Sequence, residues 1–118
     1  MSIRVKFKTW ASYPDAVSNN AKRGIELNEK VGNKCATQTG KVRAQQLAQG
    51  EPISLETVKR MVSYLSRAEE YYDESDMNAC GTISYLLWGG KAGLRWAESK
   101  IKEELWAALK KELDSLQN

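Results

Sequence analysis

The chain has 118 residues, with 18 Lys and Arg against 15 Asp and Glu and a formal net charge of +3. This length suits one domain with a modest core. Its 42% apolar and 28% charged residues are typical of a globular protein. There is no histidine, and the two cysteines are Cys35 and Cys80. This composition argues against the usual zinc sites and against catalysis by a histidine base. We expect a protein that is not an enzyme, with no cofactor, no metal and no small-molecule substrate.

Two further features concern the compartment. No apolar run approaches the ~20 residues of a membrane helix, and the N-terminus has no signal-peptide pattern. We therefore expect no membrane partner and a cytoplasmic location. Cys35 and Cys80 lie far apart and outside any CxxC pair, which favours two reduced, buried thiols. A disulfide between them is expected only under oxidising conditions.

Charge is unevenly distributed along the chain. Residues 1–50 contain nine Lys and Arg against three Asp and Glu, whereas residues 51–90 contain three against seven. A basic front half suits contacts with phosphates, or with the acidic stretch of a neighbouring copy. A solvated surface is the more common explanation of such a balance.

The first predicted element is an extended arm. From Ile3 to Trp10, apolar residues alternate with basic ones, which is typical of a strand with one buried face. The rest of the sequence is helical and offers this strand no evident partner. We expect it to pair with another chain or to lie across the helices.

Two helices follow the arm. The first begins at Ser12 and Pro14 and ends at Gly32, because proline suits an early helical position and glycine a helix end. The second helix covers Thr37 to Gln49. The apolar stripe predicted for the first helix consists of Val17, Ala21, Gly24, Ile25, Asn28 and Val31.

A corner connects the second helix to the third. Gly50 can adopt the left-handed conformation that ends a helix, and Pro52 disfavours helix at the residue before it. Ser54 is a good N-cap, and the spacing of Ile53 and Val58 is that of a hydrophobic staple. The third helix runs from Ser54 to about Tyr72. Its predicted buried residues are Val58, Met61, Val62 and Leu65.

The acidic turn after the third helix resembles part of a calcium-binding loop. Asp76, Asn78 and Gly81 match ligand or glycine positions of an EF-hand. The fifth position is Cys80, and the twelfth is Leu87 where a bidentate glutamate is required. We therefore interpret this segment as a capping turn, with Asn78 or Gly81 beginning the next helix.

The fourth helix, Thr82 to Trp88, is short and almost wholly apolar, and Gly89 and Gly90 end or bend it. Trp88 and Trp96 flank this break. We expect both side chains to lie in the core, where each indole N–H needs one hydrogen-bond partner. The alternative is that they stack on nucleic-acid bases or on a ligand.

The last helix is predicted from about Lys91 to Leu116. It spans roughly 25 residues, or about 38 Å at 1.5 Å per residue, which is longer than the other helices can cover. We expect its end, Trp106 to Leu116, to project or to dock on another subunit; the alternative is that it folds back over the core. The candidate oligomer interface consists of Ile101, Leu105, Trp106, Leu109, Leu113 and Leu116.

These elements define the expected fold. It is an all-α protein, a compact bundle of about five helices with a short N-terminal extended arm and a long C-terminal helix. The expected divisions are an arm at residues 1–11, a helical core at 12–102 and a projecting helix end at 103–118.

Six short motifs follow each other in a fixed order: AKRGIELN (21–28), GNKCAT (32–37), KVRAQQL (41–47), TVKRM (57–61), YLSRAE (64–69) and ISYLLWGG (83–90). In these motifs the sequence resembles a small helical module of tailed bacteriophages. That module occurs within or beside head-morphogenesis proteins, including ClpP-like prohead protease polypeptides. The resemblance covers residues 10–102, and many relatives have a histidine where this chain has Ala68. No protease motif is present, so protease activity does not carry over.

The resemblance implies a virion or prohead context, with assembly in the cytoplasm of the bacterial host. We expect a non-enzymatic structural module that acts through protein–protein contacts, as a homo-oligomer or with other phage head proteins. The alternative is a DNA-binding module that uses residues 41–67 as a helix-turn-helix-like corner. The candidate nucleic-acid contacts are Lys41, Arg43, Lys59, Arg60 and Arg67.

Overall fold

The computed structural model describes residues 8–117, and it shows a mostly helical protein. Five α-helices form a bundle from which the end of the last helix projects, so the molecule measures 59 × 24 × 22 Å. This is the predicted fold class. The helices are α1 (Asp15–Lys30), α2 (Gln38–Ala48), α3 (Leu55–Ala68), α4 (Cys80–Leu87) and α5 (Gly90–Gln117).

A short antiparallel strand pair joins the N-terminal segment to the corner before α3. Strand β1 (Thr9–Trp10) pairs with β2 (Ile53–Ser54), with Trp10 opposite Ile53. The prediction that the strand has no partner within the chain is therefore wrong. The sequence does not reveal this partner, because a two-residue strand inside a helix corner has no periodicity of its own. Residues 3–7 of the predicted arm lie outside the described residues.

The corner between α2 and α3 follows the predicted local chemistry. Gly50 has a φ of +70°, and the Glu51 N–H bonds the Gln46 carbonyl at 2.9 Å, which closes α2 with a Schellman-type end. Ser54 caps α3 by accepting a hydrogen bond from the Thr57 N–H at 3.2 Å. Ile53 is buried beside this cap. Helix α3 ends at Ala68, and a 3-10 turn continues to Tyr71, so the expected extension to Tyr72 is not all α-helix.

The core lies where α1 crosses α4 and where α3 packs along α5. Gly24 permits the first crossing, because a Cβ there would lie 2.7 Å from the Leu87 backbone nitrogen. Leu27 is also buried, although the predicted stripe of α1 omitted it. The buried side chains of the third, fourth and fifth helices include Val58, Met61, Leu65, Ile83, Leu87 and Leu94.

Trp88 and Trp96 both belong to the core, as the sequence predicted. Trp88 stacks on Tyr64 with ring centroids 4.8 Å apart, and Trp96 is in edge-on contact with Trp10 and Tyr13. Within the described residues, the Trp96 indole N–H has no hydrogen-bond partner. The expectation that each indole N–H would be satisfied is therefore not met at Trp96.

A disulfide joins Cys35 to Cys80, with their Cα atoms 4.8 Å apart. The prediction of two reduced thiols is therefore wrong. The buried Asn28 side chain accepts the Cys35 N–H at 3.0 Å, and Ser84 of α4 donates to the Cys35 carbonyl at 2.7 Å. These bonds hold the α1–α2 loop against the start of α4, which brings the two sulfurs together. Helix α4 itself begins at Cys80, with Ala79 in the N-cap position, rather than at Asn78 or Gly81.

Candidate functional site: the exposed face of the last helix

The distal half of α5 carries the largest exposed apolar surface among the described residues. Helix α5 has 28 residues, and its apolar side chains are buried at Leu94, Trp96 and Ala97 and half-buried at Ala92 and Ile101. Beyond that point every described residue except Glu104 is exposed. The exposed fractions of the apolar side chains are 66% at Leu105, 66% at Trp106, 48% at Leu109, 49% at Leu113 and 79% at Leu116.

This surface, which we call the distal stripe, consists of Leu105, Trp106, Leu109, Leu113 and Leu116. It does not continue the side of α5 that faces the bundle. At about 100° per residue, the distal stripe is rotated by about a third of a turn from the buried residues Gly93, Leu94 and Ala97. The distal half of α5 therefore does not fold back over the core. It projects, as the sequence predicted. Ile101, the sixth candidate interface residue, packs against the bundle instead.

Charged side chains flank the distal stripe. Glu103 lies on one side with Lys110, and Lys100 pairs with Glu103 at 3.4 Å within the helix. Glu104 faces the bundle and pairs with Lys8 at 2.6 Å. This ion pair lies where α5 leaves the bundle, so it connects the segment before β1 to the root of the projecting helix.

The candidate nucleic-acid contacts lie on different parts of the surface. Arg43 is half-buried: its guanidinium lies over the Trp88 ring, 5.6 Å from the centroid, and hydrogen bonds the Gln46 side chain. Burial, and secondly the charge of Arg60, lowers the pKa of Arg43. Its Nε has no partner among the described residues. Lys41 instead lines a cleft with Asn28 and other residues of α1.

The other three candidate cations are exposed on α3. Arg60 pairs with Glu56 at 3.3 Å, and Arg67 donates from Nε to the Ser63 carbonyl at 3.1 Å. Arg60, Arg67 and Lys59 remain available to solvent on this helix. However, α2 packs on α1 and α4, whereas α3 packs on α5, so the two helices do not form the mutually packed pair of a helix-turn-helix.

The acidic turn between α3 and α4 organises its own backbone. Asp73 accepts hydrogen bonds from the Ser75 N–H and hydroxyl, and these lower the pKa of Asp73. Asp76 accepts from the Asn78 N–H, and the Thr82 hydroxyl bonds both the N–H and the carbonyl of Asp73. Across residues 8–117, no group of three or more acidic or cysteine side chains is placed to hold a metal ion.

A cleft of about 400 Å³ lies beside this turn, between the start of α5 and α4. Tyr72 and Tyr85 line it with ring centroids 5.0 Å apart, and Lys91 pairs with Glu69 at 3.8 Å. Burial, and secondly the charge of Glu69, raises the pKa of Tyr85. The cleft therefore combines an aromatic pair with charges that already pair with each other.

No protein-family model, curated protein or solved structure matches this chain. Among the described helices, none is long and apolar enough to cross a membrane.

Proposed function

We propose that this protein is a non-enzymatic assembly module that acts through protein–protein contacts made by the distal stripe. The observation that carries the proposal is the contrast within one helix. The proximal half of α5 buries its apolar side chains in the bundle, whereas five large apolar side chains of the distal half face solvent. An exposed cluster of this kind is typical of a protein interaction surface.

The energetic argument supports a partner on this surface. Burying a Leu side chain fully is worth about 1.5–3 kcal/mol, and large aromatic side chains dominate interface energetics. The stripe contains four Leu and one Trp, and a neighbouring helix can cover them together because they share one side of α5. Trp106 near the middle of the exposed region is the kind of residue that acts as an interface hot spot.

The phage context of the proposal rests on the ordered motifs between Trp10 and Lys102. In a virion or prohead, a module of this type would contribute contacts between copies of itself or with other head proteins. The bundle would provide the rigid body, and the projecting helix would provide the contact.

The test is the mass in solution, measured by light scattering at low and high salt. The full chain is compared with Leu109→Glu and with Ser115→Glu, which adds the same carboxylate to a different side of the same exposed segment. We expect an oligomer that persists in high salt, dissociates in Leu109→Glu and survives in Ser115→Glu. A chain ending at Lys102 should also be monomeric. A full-length monomer in every condition, or an oligomer unaffected by Leu109→Glu, would contradict the proposal.

The second candidate is a nucleic-acid-binding module, and the placement of Arg60 and Arg67 favours it. These residues lie two helical turns apart on the exposed face of α3. Because α2 and α3 do not form a closely packed pair, such binding would use the surface of α3 itself. A phosphate-driven complex weakens steeply as salt rises. A DNA titration at two salt concentrations, with Arg67→Gln as the variant, therefore distinguishes it from an apolar helix interface.

A further inference from the structure

The distal stripe has the spacing of a coiled-coil seam. Trp106, Leu109, Leu113 and Leu116 follow each other at intervals of three, four and three residues, which are successive a and d positions of a heptad. In this frame Glu103 and Lys110 occupy e positions, and Leu105 and Glu112 occupy g positions. Only about two heptads project beyond the bundle, and a seam this short is marginal by itself.

The seam extends backward along the proximal half of α5 as an exposed polar strip. Ser99 and Lys102 occupy the preceding a and d positions, Glu98 occupies a g position, and all three are exposed. A partner helix can therefore continue past the projecting end and lie beside the bundle on this exposed side. An antiparallel partner uses this extra length, since its own distal stripe then reaches the aliphatic stem of Lys102.

The flanking charges distinguish the possible orientations. In a parallel, in-register pair, each g position lies near the following e position of the other helix. That arrangement places Glu98 beside Glu103 of the other copy, twice per dimer. In an antiparallel pair with Trp106 against Leu109, e positions face each other. Glu103 then lies beside Lys110 of the other copy, also twice per dimer.

A second antiparallel register is also disfavoured by charge. If Trp106 is opposite Leu116 of the other copy, then Lys110 approaches its own counterpart, and so does Glu112. Like-charge pairs are destabilising by about as much as unlike pairs stabilise. The register centred between Trp106 and Leu109 pairs these two side chains twice per dimer. It places Leu113 against the aliphatic stem of Lys102 of the other copy and Leu116 against its Ser99. Of the three arrangements, this one alone has unlike charges at the flanking e positions.

We propose that the occupant of the distal stripe is a second copy of this chain, bound antiparallel with Trp106 of each copy against Leu109 of the other. This inference rests on the proposed function and specifies its partner. The charges argue for a second copy because the stripe's own flanking residues, Glu103 and Lys110, complement each other under a two-fold axis. The resulting interface is isologous and closes as a dimer, with one bundle at each end.

The test uses charge reversal in the full chain at low salt, with the dimer dissociation constant measured by sedimentation. Glu103→Lys converts two unlike pairs into two like pairs, and so does Lys110→Glu. We expect each single variant to weaken the dimer about tenfold and the double variant to restore it, because two attractive pairs become two repulsive ones. Far-ultraviolet circular dichroism of each variant verifies that the helices are intact.

The outcomes separate this inference from the proposed function. A dimer that Leu109→Glu disrupts but Glu103→Lys strengthens would be parallel, because the repulsion between Glu98 and Glu103 has been relieved. That result would overturn the antiparallel inference and leave the assembly module standing. Charge variants without effect on such a dimer would overturn the inference in the same way. A wild-type chain that stays monomeric at all concentrations would overturn both.

Discussion

Lys8 and Glu104 form an ion pair at 2.6 Å across 96 residues of sequence, at the point where α5 leaves the bundle. Lys8 is also placed over the Trp10 ring, 5.6 Å from its centroid, and its carbonyl accepts the Leu55 N–H at 3.3 Å. One residue therefore contacts the start of α3 through its backbone and the root of the projecting helix through its side chain.

Loss of this ion pair should have a small but measurable effect. We expect Glu104→Gln to lower the free energy of unfolding by up to about 1 kcal/mol, because partly exposed ion pairs contribute little more. A double-mutant cycle with Lys8→Met, followed by urea denaturation, isolates the coupling between the two side chains. The coupling should shrink in 1 M salt. A coupling energy of zero at low salt would show that the pair does not hold the root of α5.

The disulfide should contribute strongly to stability. Cys35 and Cys80 are 45 residues apart, and a loop of this size predicts about 4 kcal/mol from the constraint on the unfolded chain. Reducing agent should therefore lower the urea midpoint of the wild-type chain. The double variant Cys35→Ser with Cys80→Ser should unfold at the lower midpoint with or without reductant. Equal midpoints for oxidised and reduced wild-type protein would contradict this prediction.

Two glycines should respond differently to alanine. At Gly24 a Cβ would lie 2.7 Å from the Leu87 backbone nitrogen, so α1 and α4 must move apart. We expect Gly24→Ala to destabilise the protein by about 1–3 kcal/mol or more through overpacking. Gly50→Ala has open space but a φ of +70°, and it should cost about 1 kcal/mol from backbone strain alone. Thermal unfolding of both variants provides the comparison, and an unchanged melting temperature for Gly24→Ala would contradict the close crossing.

Alkaline pH should weaken the fold through Tyr13. Its hydroxyl donates to the Gln46 carbonyl at 3.2 Å and to the Glu51 carbonyl at 3.0 Å, and burial, then the charge of Glu51, raises its pKa above the ordinary 10.0. A raised pKa in the folded state means that this stabilisation is complete below pH 10.0 and is lost as pH rises through the folded pKa.

Denaturation of Tyr13→Phe measures this contribution. The variant should be less stable at neutral pH by about 1 kcal/mol, because the two carbonyls lose a donor. Its stability should also fall less steeply than that of wild type above pH 10.0, the ordinary pKa of a tyrosine hydroxyl. Tyr71→Phe is a suitable control, since Tyr71 is exposed. Parallel pH profiles for Tyr13→Phe and wild type would argue against the assignment.

Local chemistry explains which parts of the fold the sequence predicted. The cap at Ser54 and the left-handed Gly50 depend on residues within one turn of chain, so their signals are complete in the sequence. The projection of α5 followed from length, since its partners α1 and α3 are much shorter. The exposure of the distal stripe follows from the same mismatch.

Tertiary placement explains what the sequence did not predict. Cys35 and Cys80 meet only because α4 packs across α1, and nothing near either cysteine encodes that crossing. The pairing of Trp10 with Ile53 depends likewise on the positions of whole helices. For the candidate nucleic-acid contacts, sequence proximity was misleading, because Lys41 and Arg43 lie two residues apart yet face different neighbours.

The uninterrupted course of α5 has a mechanical consequence. The helix has no break between the bundle and Gln117, so anything bound near Leu116 is held at a set distance from the bundle. Along the helix axis, Leu105 and Leu116 are about 17 Å apart at 1.5 Å per residue. Inserting one residue after Glu104 would turn the stripe by about 100° around the axis while lengthening the helix by only about 1.5 Å. The residues of α5 that follow Glu104 therefore set both the distance and the angle between assembled units.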